Sequence, residues 1–281
     1  MANEVTQKAV ATVKPVNALK NMLEAPSVKS QFESVLKDNA PMFVASLIEI
    51  FSTDSKLQEC EPKALVNEAL KAAILKLPLN KSLGFAFIVP FNNNTKVGDS
   101  WVKKMTPNFQ IGYKGYIQLA IRSGQYKYIN TDSVLEGEYR GKDKLTGEID
   151  LKGEAISDKV VGYFAHLELH NGFRKTLYST VKQVEDHGAK YSKTYTYKDS
   201  AWKTNFDAMA MKTQIRALLS HYGYLSPELI NAMNSDADFE TTEQKVDSEI
   251  KGNANSKNVN AFQDAEVVSS IVTVNPFSDE Q

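Results

Sequence analysis

Apolar residues recur at every third or fourth position through the first 76 residues, which is the spacing of helices that bury one face. Residues that favour the start of a helix lie at the beginning of these apolar stretches. Ser27 is a predicted N-cap, and Pro41 and Pro62 occupy first-turn positions. We therefore predict a layer of N-terminal helices over residues 17–24, 27–38, 41–52 and 62–76.

After residue 84 the pattern changes to short apolar runs and to alternation, which predicts strands. We expect strands over 85–91, 126–136, 160–169 and 173–178, the last two joined through His170-Asn171-Gly172 as a hairpin. The polar residues 92–105 are predicted to be a loop, and residues 137–153 an exposed hairpin. Thr180 is a predicted N-cap for a helix that ends at Gly188, and a Tyr/Lys-rich loop follows over 189–200.

The segment 106–124 predicts a short strand, a glycine turn and a helix. Three polar residues four apart share one face of that helix: Lys114, Gln118 and Arg122. Three apolar residues on another face are predicted to pack on a core: Tyr113, Ile117 and Ala120. Gly112 and Gly115 either let another backbone approach the turn closely or serve the turn alone.

A second helix, predicted over 202–222, has the same organisation. Its apolar stripe is predicted to face the core: Ala208, Met211, Ile215, Leu218 and Tyr222. The flank of the stripe carries Asn205, Met209, Lys212 and Arg216. Two such rows of cations and amides can form the walls of a groove that follows a phosphate backbone. The alternative is that each row is the solvated face of its helix.

These elements predict an α+β fold with an N-terminal helical layer, a central antiparallel β-rich region with packed helices, and an acidic tail. We expect a mobile N-terminus over 1–16, a core over 17–234 and a disordered tail over 235–281. The tail holds ten acidic and three basic residues, so the formal charge of −1 conceals 30 basic and 24 acidic residues over positions 1–234. A mildly basic core is typical of nucleic-acid binders, although many other proteins share it.

Composition and motifs also exclude several classes of protein. Cys60 is the only cysteine, which rules out an intrachain disulfide and favours a reducing cytoplasm. We expect neither a secretory signal nor a membrane span, since no long apolar run is present. The sequence has no G-x-x-x-x-G-K-[ST] phosphate loop and no nucleophile or dinucleotide motif, which indicates passive binding.

Three stretches in order resemble the RecT family of phage and prophage single-strand annealing recombinases. They are LGFAFIVPF at 83–91, QIGYKGYIQLAIRSG at 110–124, and Trp202 with DAMAMKTQIR at 207–216. The similarity extends over roughly residues 18 to 230. The resemblance implies an oligomer that holds single-stranded DNA in a basic groove, leaves base edges open to a second strand, and anneals complementary strands without ATP hydrolysis.

With that resemblance, the residue types suggest which side chains contact DNA. Cations would meet phosphates, amides and hydroxyls would donate hydrogen bonds, and aromatic rings would lie against bases. The candidate DNA-binding residues are Gln110, Tyr113, Lys114, Gln118, Arg122, Lys127, Trp202, Lys203, Asn205, Lys212, Thr213 and Arg216. We assign no catalytic or metal-binding residue.

The resemblance also implies partners and a location. The expected partners are single-stranded DNA, the annealed duplex intermediate and further copies of the chain, and a host single-strand-binding protein and a phage exonuclease are candidates. No cofactor is expected to be required, with Mg²⁺ acting only through DNA. The expected location is the cytoplasm of a bacterial host, and the acidic tail is either a solubilising segment, a cover for the basic groove or a docking segment.

Two other functions stay open from the residues alone. A metal-dependent nuclease would use Glu148, Asp150 and Lys152, and a passive single-strand-binding protein would coat DNA without pairing it. His166, Glu168 and His170 alternate along one predicted strand and are a weak candidate for a metal site.

Overall fold

A computed structural model of the chain describes residues 14–97 and 100–236. The predicted α+β class is confirmed. Helices come first, antiparallel strands and further helices follow, and the predicted acidic tail from residue 237 lies outside the described residues. Ser235 closes the last described helix and Asp236 is buried, so the folded part extends past the start of the predicted tail.

Proline starts most of the N-terminal helices, as its fixed φ and missing N–H favour at a first turn. The helices are α1 (Pro15–Glu24), α2 (Pro26–Leu36), α3 (Ala40–Thr53), α4 (Ser55–Gln58) and α5 (Pro62–Ile74). Their apolar faces enclose one core that includes Leu19, Phe32, Leu47 and Leu65. The predicted layer is confirmed, but Ser27 is not an N-cap, because α2 already begins at Pro26.

A long hairpin follows, formed by β1 (Ala86–Val97) and β2 (Ser100–Ile111). The prediction of a loop over 92–105 was wrong, since most of that segment pairs between the two strands, for example Asn92 with Met105. Asn92, Asn93, Val102 and Lys103 are exposed, so these positions carry no apolar alternation from which the strands could be predicted.

A three-stranded antiparallel sheet lies in the order β3–β6–β7, with β3 (Tyr126–Leu135), β6 (Val160–Leu169) and β7 (Arg174–Thr180). The predicted hairpin across 170–172 is confirmed. On β6, Tyr163, Ala165 and Leu167 are buried, as alternation requires. The exposed hairpin over 137–153 contains the short strands β4 (Gly141–Lys142) and β5 (Ile149–Asp150).

Five further helices complete the described part: α6 (Tyr113–Arg122), α7 (Val181–Tyr191), α8 (Ala201–Thr204), α9 (Phe206–Tyr222) and α10 (Pro227–Ser235). Thr180 caps α7 through a capping box with Gln183, which confirms the predicted cap. Gly124 follows α6 with a positive φ of 67°, the conformation in which glycine is favoured. No described helix has the length and apolarity to span a bilayer.

The predicted inner face of α9 was only partly right. Ile215 and Leu218 are buried, but Tyr222 is exposed and Ala208 and Met211 are half-buried. The buried side chains on this helix are Ala210, Lys212, Gln214, Ile215, Leu218 and Leu219. Because α9 packs against α6 on one side and the sheet on the other, it is buried over a wider arc than a single stripe predicts.

Candidate nucleic-acid interface

A groove of about 470 Å³ lies between the start of α6 and the start of α9, and we call it the α6–α9 groove. Five of the predicted DNA-binding residues line it: Gln110, Tyr113, Lys114, Asn205 and Lys212. The segment 81–89 contributes the remaining wall through Lys81, Gly84 and Phe87. The two sequence motifs, about 90 residues apart in the chain, therefore meet at one surface.

Two glycines hold the turn before α6 against the start of β1. A Cβ on Gly112 would lie 2.2 Å from the carbonyl oxygen of Gly84, and one on Gly115 would lie 2.2 Å from that of Phe85. The Gly112 N–H donates to Phe85 O at 3.0 Å. The backbone that approaches these glycines is the protein's own segment 84–85, and any role of theirs toward DNA stays a prediction. These contacts fix the groove wall that carries Lys114.

Lys114 is an exposed cation of the groove. Its Nζ lies 6.0 Å from the ring centroid of Tyr113, and none of the ion pairs among the described residues involves it. Lys81 lines the same groove and pairs with Asp54 at 3.1 Å. Lys114 is thus placed to meet an anionic ligand without first giving up a carboxylate partner.

The acid in the groove is held by a buried tyrosine. Asp207 lines the groove, and its Oδ1 accepts a hydrogen bond from Tyr163 Oη at 2.5 Å. Burial raises the pKa of the Tyr163 phenol, and the bond to Asp207 adds to this effect. The phenol therefore stays a donor and occupies one oxygen of the carboxylate.

Lys212 lies at the inner side of the groove and, unlike the exposed Lys114, it is buried and ion-paired. It is only 5% exposed, and its Nζ contacts Asp236 Oδ1 at 3.2 Å and Oδ2 at 3.1 Å. The sequence predicted an accessible cation on the flank of α9. The structure instead places Lys212 in a buried ion pair.

A second cavity of about 200 Å³ lies on the other side of Lys212, between α7 and α9. Three further predicted residues line this α7–α9 pocket: Trp202, Thr213 and Arg216. Trp202 is mostly buried and packs edge-on against Tyr195 and Phe206. His187 and His221 also line the pocket, and the sequence reasoning missed both because neither shares a motif with the predicted cations.

The four other predicted residues lie outside both cavities. Arg122 donates from Nη1 to Leu75 O at 2.7 Å and from Nη2 to Lys76 O at 2.9 Å, at the end of α5. Burial lowers the pKa of this guanidinium. Lys127 pairs with Glu168 at 2.7 Å. The Nζ of Lys203 lies 4.5 Å from the ring centroid of Tyr195. Gln118 is half-buried on α6.

The carboxylates considered for metal binding are held by other partners. Glu148 pairs with Arg174 at 2.9 Å, and Asp150 accepts from the backbone N–H of Lys152 at 2.9 Å. His166 Nδ1 lies 2.8 Å from Thr176 Oγ1. Within residues 14–97 and 100–236, no three His, Cys, Asp or Glu side chains are grouped to hold a metal ion.

Comparison with known proteins identifies the family of the chain. Residues 41–250 match the RecT family. The chain is 41% identical over 242 residues to the Bacillus subtilis (strain 168) protein named "Uncharacterized protein YqaK", across 86% of this chain and 78% of that protein. It is 29% identical over 253 residues to "Protein RecT" of Escherichia coli (strain K12), across 86% of this chain and 88% of that protein. The chain therefore belongs to the RecT family, which supports a role as a single-strand annealing protein in DNA recombination.

Proposed function

We propose that the protein binds single-stranded DNA in the α6–α9 groove and anneals complementary strands without hydrolysing ATP. The observation that carries this proposal is the meeting of all three family stretches at one groove, with Lys114 and Gln110 on one wall and Asn205, within the span of the third stretch, on the other. Family membership supports the annealing role, and the groove supplies a surface with the chemistry for it.

The chemistry of the groove suits a phosphate backbone. Lys114 supplies a positive charge, while the amides of Gln110 and Asn205 can donate hydrogen bonds to phosphate or sugar oxygens. Tyr113 offers a ring face beside Lys114. Contacts to the backbone carry no sequence information, so any strand can be held and base pairing with a second strand supplies the specificity.

The size of the groove favours action by several copies. Of helix α6, which has ten residues and is about 15 Å long, only Tyr113 and Lys114 at its start line the groove. At roughly 3.4 Å per nucleotide for a strand in a duplex, even the full length of the helix would span only about four nucleotides. Annealing of longer strands then needs copies side by side along the DNA. We propose this oligomer on physical grounds, together with a cytoplasmic location and contacts with a host single-strand-binding protein and an exonuclease.

No bound cofactor takes part in this proposal. Base pairing supplies the free energy of joining, and the cations of the groove reduce repulsion between the two strands. Mg²⁺ would stimulate annealing by screening phosphates rather than through a protein site.

The rival nuclease function has no comparable support. Its best carboxylate, Glu148, is in an exposed ion pair with Arg174, and Lys152 lies in the same exposed hairpin rather than beside the groove. The passive coating function shares the groove and differs only in whether pairing becomes faster.

The test is sequential addition of two complementary oligonucleotides to the protein with Mg²⁺ and without ATP, followed by gel analysis of strand length. We expect intact strands to join faster than they do without protein. Binding without acceleration would favour the coating function. Shortened strands whose formation is abolished by Asp150→Ala would favour the nuclease.

A further inference from the structure

A buried carboxylate ties together the helices that border the α6–α9 groove. Asp236 is 0% exposed and directly follows α10. One of its oxygens, Oδ2, accepts from Tyr116 Oη at 2.7 Å, and both of its oxygens lie within 3.2 Å of Lys212 Nζ. Tyr116 belongs to α6 and Lys212 to α9, so a single side chain connects α6, α9 and α10.

The contact lies close to the residues proposed to hold DNA. Tyr116 is two residues after Lys114 on α6, and Lys212 itself lines the groove. A shift of α6 relative to α9 would therefore change both the bonds at Asp236 and the width of the groove.

We infer that Asp236 is a positioning residue that sets the spacing of the two groove walls, and that Lys212 acts through it rather than by binding phosphate. The inference rests on the proposed function, since it concerns the geometry of the same groove. It also assigns Ser235 and Asp236 to the DNA-binding core rather than to a dispensable tail.

The alternative is that Asp236 masks Lys212 until DNA displaces it. Burial argues against this, because separating a buried pair leaves an uncompensated charge inside the protein. An incoming phosphate would also have to displace Asp236 from Tyr116, which is itself fully buried. A fixed pair explains the geometry without that cost.

The two roles predict opposite results for Asp236→Asn in the full-length chain. The change removes a negative charge near a DNA site, so a masking acid would give tighter binding and a salt slope steeper by about 0.7, from the freed Lys212. A positioning residue would give binding that is several-fold weaker with an unchanged slope. Asp158→Asn, at an exposed position, is the control with the same change in net charge.

Because Asp236→Asn leaves a buried ammonium without its carboxylate, two milder variants accompany it. Tyr116→Phe keeps the ion pair and removes the hydrogen bond from Tyr116 Oη to Asp236. The double variant Lys212→Met with Asp236→Asn removes both charges together.

The measurement is affinity for a poly-dT oligonucleotide across a salt series, at a temperature where circular dichroism shows each variant folded. We expect Tyr116→Phe and the double variant to bind several-fold more weakly than wild type, with the wild-type salt slope. Wild-type affinity in the folded Tyr116→Phe variant would overturn the inference. So would a slope lower by about 0.7 in the double variant, which would make Lys212 a phosphate contact. If the wild-type chain bound no DNA, the proposed function itself would fail.

Discussion

Two clefts of similar size lie on this protein, and they differ in the charges and in the packing of their walls. The α6–α9 groove measures about 470 Å³, and a cleft between the 140–152 hairpin and β7, which we call the hairpin cleft, measures about 580 Å³. Several charges of the hairpin cleft have partners within it: Arg174 pairs with Glu148, and Asp143 accepts the backbone N–H groups of its own turn. Two others, Arg140 and Lys152, are exposed and lie outside the described ion pairs. In the groove, Lys114 is exposed and lies outside the described ion pairs.

The groove also rests on a firmer base. Its walls are backed by Phe109 and Tyr116, both fully buried, and by glycines that leave no room for a side chain. The β4–β5 hairpin has two residues in each strand and exposes Leu145. The comparison teaches that charge density is a poor guide to a binding site, because charges that already have partners gain little from a ligand.

The largest expected effect comes from reversing one charge in each cleft. Lys114→Glu should weaken binding of single-stranded DNA by about a hundredfold, because like charges placed together cost several kcal/mol. Arg174→Glu makes the same change in the hairpin cleft and should leave affinity nearly unchanged. Fluorescence anisotropy with a labelled oligonucleotide measures both. Equal losses in the two variants would mean that overall charge governs binding.

The rigid base of the groove is tested by Gly112→Ala. The new methyl group would lie 2.2 Å from Gly84 O, so the turn must move away from the segment 84–85. We expect the free energy of unfolding to fall by about 1–3 kcal/mol, as overpacking does elsewhere. Urea titration gives the value, and DNA affinity of the folded variant should fall as well. Wild-type stability would show that the contact is easily relieved.

A smaller effect should distinguish Arg122 from Lys114, which lie on the same face of α6. Arg122→Ala should lower the free energy of unfolding by about 1–2 kcal/mol, because the carbonyls of Leu75 and Lys76 lose a charged donor. Its salt slope for DNA binding should equal that of wild type, whereas Lys114→Ala should lower the slope by about 0.7. Arg122→Lys is the control that keeps the charge but not the fork of donors. A lower slope in Arg122→Ala would return Arg122 to the DNA contacts.

The smallest effect concerns pH and the hairpin cleft, where His166 lies. Burial lowers the pKa of His166 below its usual 6.5, so the unfolded chain binds the proton more tightly. Stability present above pH 6.5 should therefore decline as the pH falls below that value. His166→Asn should show a smaller decline between pH 7.5 and 5.5 in urea titrations. An identical decline in both proteins would assign the pH dependence to other groups.

Lys114, Arg122 and Lys212 show which features of the site could be predicted from the sequence. Periodicity placed Lys114 and Arg122 on one face of a helix, and they are on one helix. It could not reveal that the far end of that face meets the carbonyls of Leu75 and Lys76, because that contact depends on the packing of α5. The same limit applies to Lys212, whose partner Asp236 lies 24 residues away in a segment predicted to be disordered.

The strands also divide into a part that could be predicted from the sequence and a part that could not. The hairpin of β6 and β7 was predictable because one face is buried and its turn contains Asn171-Gly172. The distal part of β1 and β2 was not, since Asn92 and Asn93 face solvent and carry no apolar signal. Of the predicted DNA-binding set, the five residues that line the groove come from both motifs, so the sequence identified the two walls but not how deep each side chain lies.

The central claim, that single-stranded DNA lies in the α6–α9 groove, is tested most directly by photo-cross-linking. An oligonucleotide of 5-iododeoxyuridine is bound to the full-length protein, irradiated, and the attached peptides are identified by mass spectrometry. The account predicts attachment within residues 110–118 and 201–213, and its loss in Lys114→Glu. Attachment within residues 140–152, with the groove peptides unmodified, would contradict it.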